Sequence, residues 1–278
     1  MDFLLEDSAM KNFWLTIVVL SLGLFVSNVT FATVNWQTVY EADFSTDLCW
    51  TTEAPAKMYW DGTRQQYHLE RSRAGQDKEY TYVKIPAVEI QSPTCNSETT
   101  YSPYLSYKLE FDLQVVKSDW AGEVVFGLGD ENLSWDKVAN WSVNYSHGEG
   151  GYGATVQYRS DSEAGSFPGG YDFIYELNEW YHNVLIYSST TESLMWEVTK
   201  ISDGKVVLNE WAADVGVFTG IDRLFSGSKG VLYPGGTGEA WLDNVVLYAA
   251  PCVPEPTTLL LLGLGGLALL RRKRGYGA

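Results

Sequence analysis

The sequence predicts an all-β protein whose body is a single two-sheet antiparallel β-sandwich of the jelly-roll type. Residues 104–117 alternate apolar and polar side chains over five cycles, the period of a strand with one buried face. Ten further segments have strand-like patterns and are separated by Gly-rich turns. No segment shows the spacing of an amphipathic helix, and so many strands in a body of about 220 residues are typical of a sandwich.

Eleven strands are predicted in chain order. They cover residues 38–44, 66–72, 80–90, 104–117, 123–129, 140–145, 154–159, 180–187, 194–201, 206–210 and 239–248. Pro86 marks a bulge or a sheet edge within its segment, because proline cannot donate to a β-ladder. Ser202-Asp203-Gly204 predicts a hairpin between the two segments that flank it, because Asp-Gly favours a tight turn.

Residues 1–32 have the features of a signal peptide. The apolar stretch 13–26 follows Met10-Lys11 and precedes Thr30-Phe31-Ala32, a small-x-small cleavage site. The acidic residues before Met10 do not suit a positively charged leader, which favours Met10 as the true start of translation. A buried N-terminal helix is the alternative, but it does not explain the small residues after the apolar stretch. One sandwich domain is therefore expected over residues 33–250.

Residues 251–278 predict a second signal with three parts. Pro254-Glu255-Pro256 precedes an apolar run over 259–270, and Arg271, Arg272, Lys273 and Arg274 follow it. A transmembrane segment at 257–270 is short, because crossing about 30 Å of hydrocarbon takes about 20 residues. The basic residues should remain on the cytoplasmic side. Such a weak anchor suits a signal for a processing enzyme, and an ordinary short tail anchor is the alternative.

This tail resembles the PEP-CTERM sorting signal of Gram-negative bacteria, on the motif, the Leu/Gly run and the basic cluster. The resemblance implies that an exosortase recognises the tail while it holds the protein transiently at the inner membrane. It also implies removal or replacement of the tail, with delivery to the cell envelope, the outer surface or the extracellular matrix. It implies nothing about the function of the body.

The region between the two signals is strongly acidic. It has 14 Lys and Arg against 31 Asp and Glu, a net charge of −17. Phosphate backbones would be repelled, so nucleic acid is not an expected partner. Such a surface favours cations such as Ca²⁺, although solubility alone also explains the acidity.

Three cysteines remain, and an exported protein is expected to oxidise them. A disulfide between Cys49 and Cys95 would close a loop of about 45 residues and stabilise the fold by roughly 4 kcal/mol. Pairing of Cys49 with Cys252 is disfavoured, because antiparallel first and last strands would place these two residues at opposite ends of the ladder. The sequence assigns no role to Cys252.

Three aromatic segments of the body resemble concanavalin A-like or laminin-G-like lectin/glucanase sandwiches. They are Asp43-Phe44-Ser45 with Trp50, Trp180-Tyr181-His182-Asn183-Val184, and Ala240-Trp241-Leu242-Asp243-Asn244-Val245. The resemblance implies that fold and leaves the function open. Galactose-binding-like sandwiches of carbohydrate-binding modules end in a similar way and stay an alternative.

No enzyme motif is present in the sequence. Glycanases of the concanavalin A-like class carry Glu-x-Asp-x-x-Glu, in which two glutamates lie about 5–5.5 Å apart. After Glu41-Ala42-Asp43, the position of the second glutamate is occupied by Thr46. After Glu110-Phe111-Asp112, it is occupied by Val115. There is also no Gly-x-Ser-x-Gly and no zinc-binding spacing of His and Cys. A non-catalytic protein is therefore predicted.

A calcium site is one candidate binding site. Glu41 and Asp43 lie on one face of the first predicted strand, and Asp243 lies on the last. These strands are commonly neighbours in sandwiches, so the carboxylates could converge. Ca²⁺ takes about six to eight oxygens, so carbonyls and water would complete the shell. The alternative is a solvated strand end.

A glycan-binding surface is the second candidate. Trp120, Trp135, Tyr152 and Tyr171 fall in predicted loops, where binding residues are commonly displayed. Sugars stack their apolar faces on such rings, although aromatic residues are also favoured in strands and cores. The prediction is an exported, lectin-like protein that binds polysaccharide. The alternatives are a glycan hydrolase or lyase with an unrecognised carboxylate pair, and a purely structural matrix or adhesion protein.

Overall fold

A computed structural model of the chain describes residues 36–72, 79–86, 105–119, 122–131, 140–148, 151–168, 175–218, 220–228 and 236–251. The chain divides into two units, residues 35–252 and a unit of the two terminal segments. Apart from Pro251, both predicted signals lie outside the described residues, as do Cys95 and Cys252. Cys49 is exposed and forms no disulfide with any described residue, so its pairing with Cys95 stays a prediction.

Fifteen strands and no helix make up the secondary structure of the described residues. The strands are β1 (Gln37–Ala42), β2 (Thr51–Thr52), β3 (Met58–Asp61), β4 (Gln66–Ser72), β5 (Glu79–Lys84), β6 (Leu105–Ser118), β7 (Glu123–Gly129), β8 (Asn140–Gly148), β9 (Gly151–Arg159), β10 (Ala164–Phe167), β11 (Trp180–Ser188), β12 (Ser193–Lys200), β13 (Lys205–Ala212), β14 (Arg223–Ser228) and β15 (Thr237–Pro251). In this part of the chain no helix is long and apolar enough to cross a membrane.

The first sheet has eight antiparallel strands in the order β13-β12-β11-β6-β15-β4-β3, with β1 also beside β15. Strand β15 is central to it. It pairs with β6 along almost its whole length, and on its other side it pairs first with β4 and then with β1. The first and last strands are therefore antiparallel neighbours, as the calcium-site prediction requires.

The second sheet has seven strands in the order β10-β9-β8-β7-β14-β5-β2. It packs on the first sheet through a shared apolar core. Alternate residues of β6 from Tyr107 to Val115 are buried, as are Val124, Phe126 and Leu128 of β7. Phe111 of the first sheet meets Phe126 of the second edge to face at 4.8 Å between ring centroids. This core confirms the predicted two-sheet sandwich.

Four strands were missing from the prediction, namely β2, β3, β10 and β14. Three of these have four residues or fewer, too short for an alternating pattern to appear. In β14 Leu224 faces the core, but the next inward position is Ser226, which is buried although it is polar, so no apolar alternation marks this strand. The segment with Pro86 also ends early, because β5 stops at Lys84.

Two ion pairs, one of them buried, join the two sheets at one end. Arg71 of β4 donates to Glu123 of β7 at 2.5 Å, and both side chains are almost fully buried. Glu79 of β5 accepts from the backbone N–H of Ser72 at 2.7 Å and from Lys57. Breaking such a buried pair leaves a charge without its counterion, which is strongly destabilising.

The chain enters and leaves the sandwich at the same end. Gln37 pairs with Ala249, and Pro251 pairs with Leu105. We call this the terminal end. The opposite end holds the last residue of β6 and the first residues of β7 and β15, Ser118, Glu123 and Thr237.

A fully buried polar residue organises part of the core. Asn183 of β11 accepts hydrogen bonds on Oδ1 from the hydroxyl of Tyr175 and from Nε1 of Trp196, the latter at 3.2 Å. Its Nδ2 donates to the carbonyl of Tyr181 at 3.1 Å. The amide oxygen of Asn183 thus accepts hydrogen bonds from two aromatic side chains in the core.

Asn183→Leu is expected to lower the free energy of unfolding by about 2–4 kcal/mol, because both aromatic donors lose this acceptor while buried. Urea unfolding followed by tryptophan fluorescence measures the change. The matched control is Asn209→Leu on the exposed strand β13, expected to change stability by no more than about 0.5 kcal/mol. Equal effects of the two substitutions would contradict the assigned role of Asn183.

Candidate functional site

A β-bulge in β15 gathers polar side chains on the outer face of the first sheet. The register of β15 against β6 shifts between Asp243 and Val246, and Asn244 has a positive φ of 49°. Strand β4 begins beside Leu242 and β1 ends beside Val245, so three elements meet there. A bulge of this kind bends the strand and redirects its side chains.

Asp112 of β6 lies at the centre of this cluster. Its Oδ1 accepts from Nδ1 of His182 at 2.7 Å, and its Oδ2 accepts from Nδ2 of Asn244 at 2.8 Å. The hydrogen bond with Asp112 raises the pKa of His182 above its ordinary value and outweighs the partial burial of the ring, which lowers it. His182 is therefore tied to a carboxylate and keeps its proton to higher pH.

Asp243 is the register partner of Asp112 across the ladder. Burial raises the pKa of Asp243, and the negative charges of Asp112 and Asp43 add to the rise. Hydrogen bonds from the backbone of Asn244 and from Gln66 act in the opposite direction. Two carboxylates thus share one outer-face patch, and burial together with the neighbouring negative charges raises the pKa of one of them, Asp243.

The structure brings together part of the predicted calcium site. Asp43 follows the end of β1, is close enough to Asp243 to shift its pKa, and accepts hydrogen bonds from Ser45. Glu41 lies on β1 two residues before Asp43, and its negative charge contributes to raising the pKa of Tyr248. No three His, Cys, Asp or Glu side chains of the described residues are placed to hold a metal ion. Calcium binding by Glu41, Asp43 and Asp243 stays a prediction.

The predicted glycan-binding residues fall mostly outside the described residues. This is true of Trp120, Trp135 and Tyr171, and for Tyr152 only the backbone is described, paired with His147. The strands next to these residues in the sequence are described, so the end of the sandwich at which each strand begins is known. The start of β7 after Trp120, the start of β9 with Tyr152, and the start of β11 after Tyr171 are all at the opposite end. Trp135 instead follows the other end of β7.

A second outer-face cluster stacks four side chains in a row. His68 lies between Tyr59 and Trp241, at 4.8 and 4.6 Å between ring centroids. The guanidinium of Arg64 covers the Trp241 ring at 4.4 Å, and Nε2 of His68 is 3.0 Å from Glu239. Trp241 is buried by these partners, so this row is part of the packing of the sheet.

Sequence reasoning missed the most exposed large aromatic side chain of the described residues. Trp211 on the edge strand β13 is 67% exposed. The prediction looked for binding aromatics only in loops and ended this strand at residue 210. The register of β13 against β12 shifts between Val198 and Thr199, which puts Val206 and Trp211 on the same outer face although they are five residues apart. No sequence pattern reveals that shift.

Comparison with known proteins identifies the tail and the fold. The PEP-CTERM protein-sorting motif matches residues 253–274, which include every residue of the predicted motif and basic cluster. The sorting-signal prediction is therefore confirmed. No curated protein matches the chain.

Solved structures of legume lectins are similar to the sandwich. The winged bean acidic lectin complexed with methyl-α-D-galactose is 11% identical with a TM-score of 0.50, and the match covers 78% of this chain and 99% of that chain. The Lotus tetragonolobus seed lectin is 11% identical with a TM-score of 0.50, covering 79% and 100%. At this identity the likeness shows the fold alone, and it confirms the predicted concanavalin A-like sandwich.

The pKa of His182 is expected to fall when Asp112 is replaced by Asn, because the hydrogen bond that raises it loses its charge. A raised folded-state pKa means that the pair stabilises the protein below the ordinary pKa of histidine, and that this contribution is lost as pH rises through the folded value. NMR titration of the His182 ring measures the shift. Glu197→Gln, which removes a more distant carboxylate, is the matched control and should shift it less. An unchanged pKa in Asp112→Asn would contradict the assignment.

Proposed function

We propose that the protein is exported, processed by an exosortase through its C-terminal tail, and displayed at the cell envelope, outer surface or extracellular matrix, where its sandwich binds polysaccharide without catalysis. The observation that carries the proposal is the combination of a sorting motif with a lectin-like sandwich in one chain. The motif accounts for location, and the fold supports the class of ligand.

The position of the sorting motif supports processing close to the folded domain. Strand β15 stays paired with β6 as far as Pro251, and the matched motif begins at residue 253. A single residue, Cys252, therefore separates the matched motif from the last paired residue in the sequence.

The topology supports glycan binding at the opposite end. The strands β7, β9 and β11 begin there, and in the chain they follow or contain three of the four predicted aromatic residues. Loops on a rigid scaffold commonly carry binding residues. The winged bean lectin of similar fold is complexed with a galactoside, which supports a sugar as the class of ligand.

A second candidate function is glycoside hydrolysis. Asp112 and Asp243 face each other across β6 and β15, and the pKa of Asp243 is raised by burial, as a general acid requires. Release of reducing ends from a polysaccharide panel, lost in Asp243→Asn, would favour this candidate over pure binding. Absence of release by folded protein would leave the cluster as part of the sheet.

Replacing Pro254, Glu255 and Pro256 by Ala in the full chain is expected to block processing, because the enzyme loses its recognition motif while the membrane segment is unchanged. The full-length precursor should then accumulate in the membrane fraction, as measured by immunoblotting of cell fractions. Tyr276→Ala, outside the matched motif, is the control and should be processed normally. A triple variant with the same size and location as the wild type would argue against exosortase sorting.

The purified full chain is expected to bind saturably to a subset of glycans on an array. Loss of one stacked ring in Trp120→Ala or Tyr152→Ala should weaken binding about tenfold, while Trp135→Ala, flanked by strand ends at the other end, should have the smallest effect. Binding that requires Ca²⁺ would implicate Asp43 and Asp243. A blank array from folded protein would exclude polysaccharide binding to the arrayed glycans and favour a structural matrix role.

A further inference from the structure

At its β13 edge, the outer face of the first sheet combines one aromatic, two apolar and two polar side chains. Register places Trp211 beside Met195 and Met195 beside Ile186, and in the next row it places Asn209 beside Glu197. We call these five residues the edge strip. Adjacent strands are about 4.8 Å apart, so the row from Trp211 to Ile186 extends about 10 Å across three strands.

Trp211 is available to bind a ligand. Its side chain is 67% exposed, and within the described part of the chain the indole has no hydrogen bond, ring contact or cation–π contact. Trp241, on the same sheet, is covered by Arg64 and stacked on His68. Exposing so large an apolar surface costs free energy in water, and ordering a ligand on it would recover part of that cost.

Polar groups lie next to this ring. Nδ2 of Asn209 donates to Oε2 of Glu197 at 3.1 Å, which leaves the amide oxygen and the second carboxylate oxygen able to accept hydrogen bonds. Met195 and Ile186 are half-buried beside them and add an apolar floor. The strip therefore combines one stacking surface, an apolar floor and hydrogen-bond acceptors.

This combination matches the surface of a sugar chain. A pyranose ring has an apolar C–H face that stacks on an indole and hydroxyl groups that donate to amide and carboxylate oxygens. A protein partner fits less well, because charged residues are depleted from the centres of protein interfaces, whereas Glu197 and Glu110 lie in the middle rows of this face.

Charge narrows the class of glycan. The full chain has a net charge of −16, and Glu197 adds a carboxylate within the strip. Anionic polymers would be repelled from such a surface. A neutral polysaccharide has no such penalty.

We infer that the edge strip is a binding site for a neutral polysaccharide, separate from the loops at the opposite end. The inference rests on the proposed function and deepens it, because two separate contact surfaces on one domain would let a single polymer chain, or two, be held at once. Linked contacts of this kind raise the overall affinity for a polymer well above that of either site.

Affinity electrophoresis of the full chain tests the inference, with gels that contain β-glucan, xylan or galactomannan as neutral probes and alginate as the anionic comparator. Trp211→Ala is expected to weaken retention by a neutral probe at least tenfold. Trp211→Phe, which keeps a stacking ring, should restore part of it. Tyr59→Ala is the matched control, because Tyr59 is a 38% exposed aromatic on the other edge strand of the same sheet.

The outcomes separate the inference from the proposed function. Retention of the wild type with no loss in Trp211→Ala overturns the edge strip and leaves glycan binding to the loops. No retention of the wild type in any neutral gel overturns both. Sedimentation of the same samples gives the third outcome, since conversion of a dimer to a monomer by Trp211→Ala would identify the strip as a contact between copies and overturn the inference. Loss in Trp211→Ala with Tyr59→Ala unchanged supports it.

Discussion

The pairing of β15 with β6 is the constraint on which the rest of the structure depends. Every inward side chain of β6 from Tyr107 to Val115 packs into the core, and β15 fixes their position along the whole strand. Because β15 is longer than any strand beside it on its other edge, it has to exchange β4 for β1 partway along. The bulge at Asp243 lies where that exchange occurs, and the polar cluster of Asp112, His182 and Asn244 is formed beside it.

Most of the fold could be predicted from the sequence, because the strands with one buried face record that face as a period of two. Strand β6 is the clearest case, and the prediction for β7 agrees with its observed bounds at both ends. The pattern fails where geometry is not periodic. Val206 and Trp211 share a face only because β13 carries an extra residue against β12, and the short strands have too few residues to show any pattern.

The candidate site was predictable only in part, for a related reason. Asp43 and Asp243 could be placed near each other from the pairing of the first and last strands. The partners of Asp112 on β6 could not be predicted. His182 comes from β11, and which strands lie beside β6 depends on the order of strands in the sheet. Binding aromatics sought in loops also left out Trp211, since an edge strand exposes side chains that a central strand would half bury.

The arrival and departure of the chain at one end of the sandwich has a mechanical consequence. If the tail holds Pro251 while a polymer holds the opposite end, tension passes lengthwise along β15. The hydrogen bonds of an antiparallel ladder are perpendicular to the strands, so this load is a shear that many bonds share at once. Pulling the strand away sideways would break them one after another. The long ladder of β15 and β6 therefore resists a lengthwise pull between the two ends of the sandwich better than a sideways pull on β15.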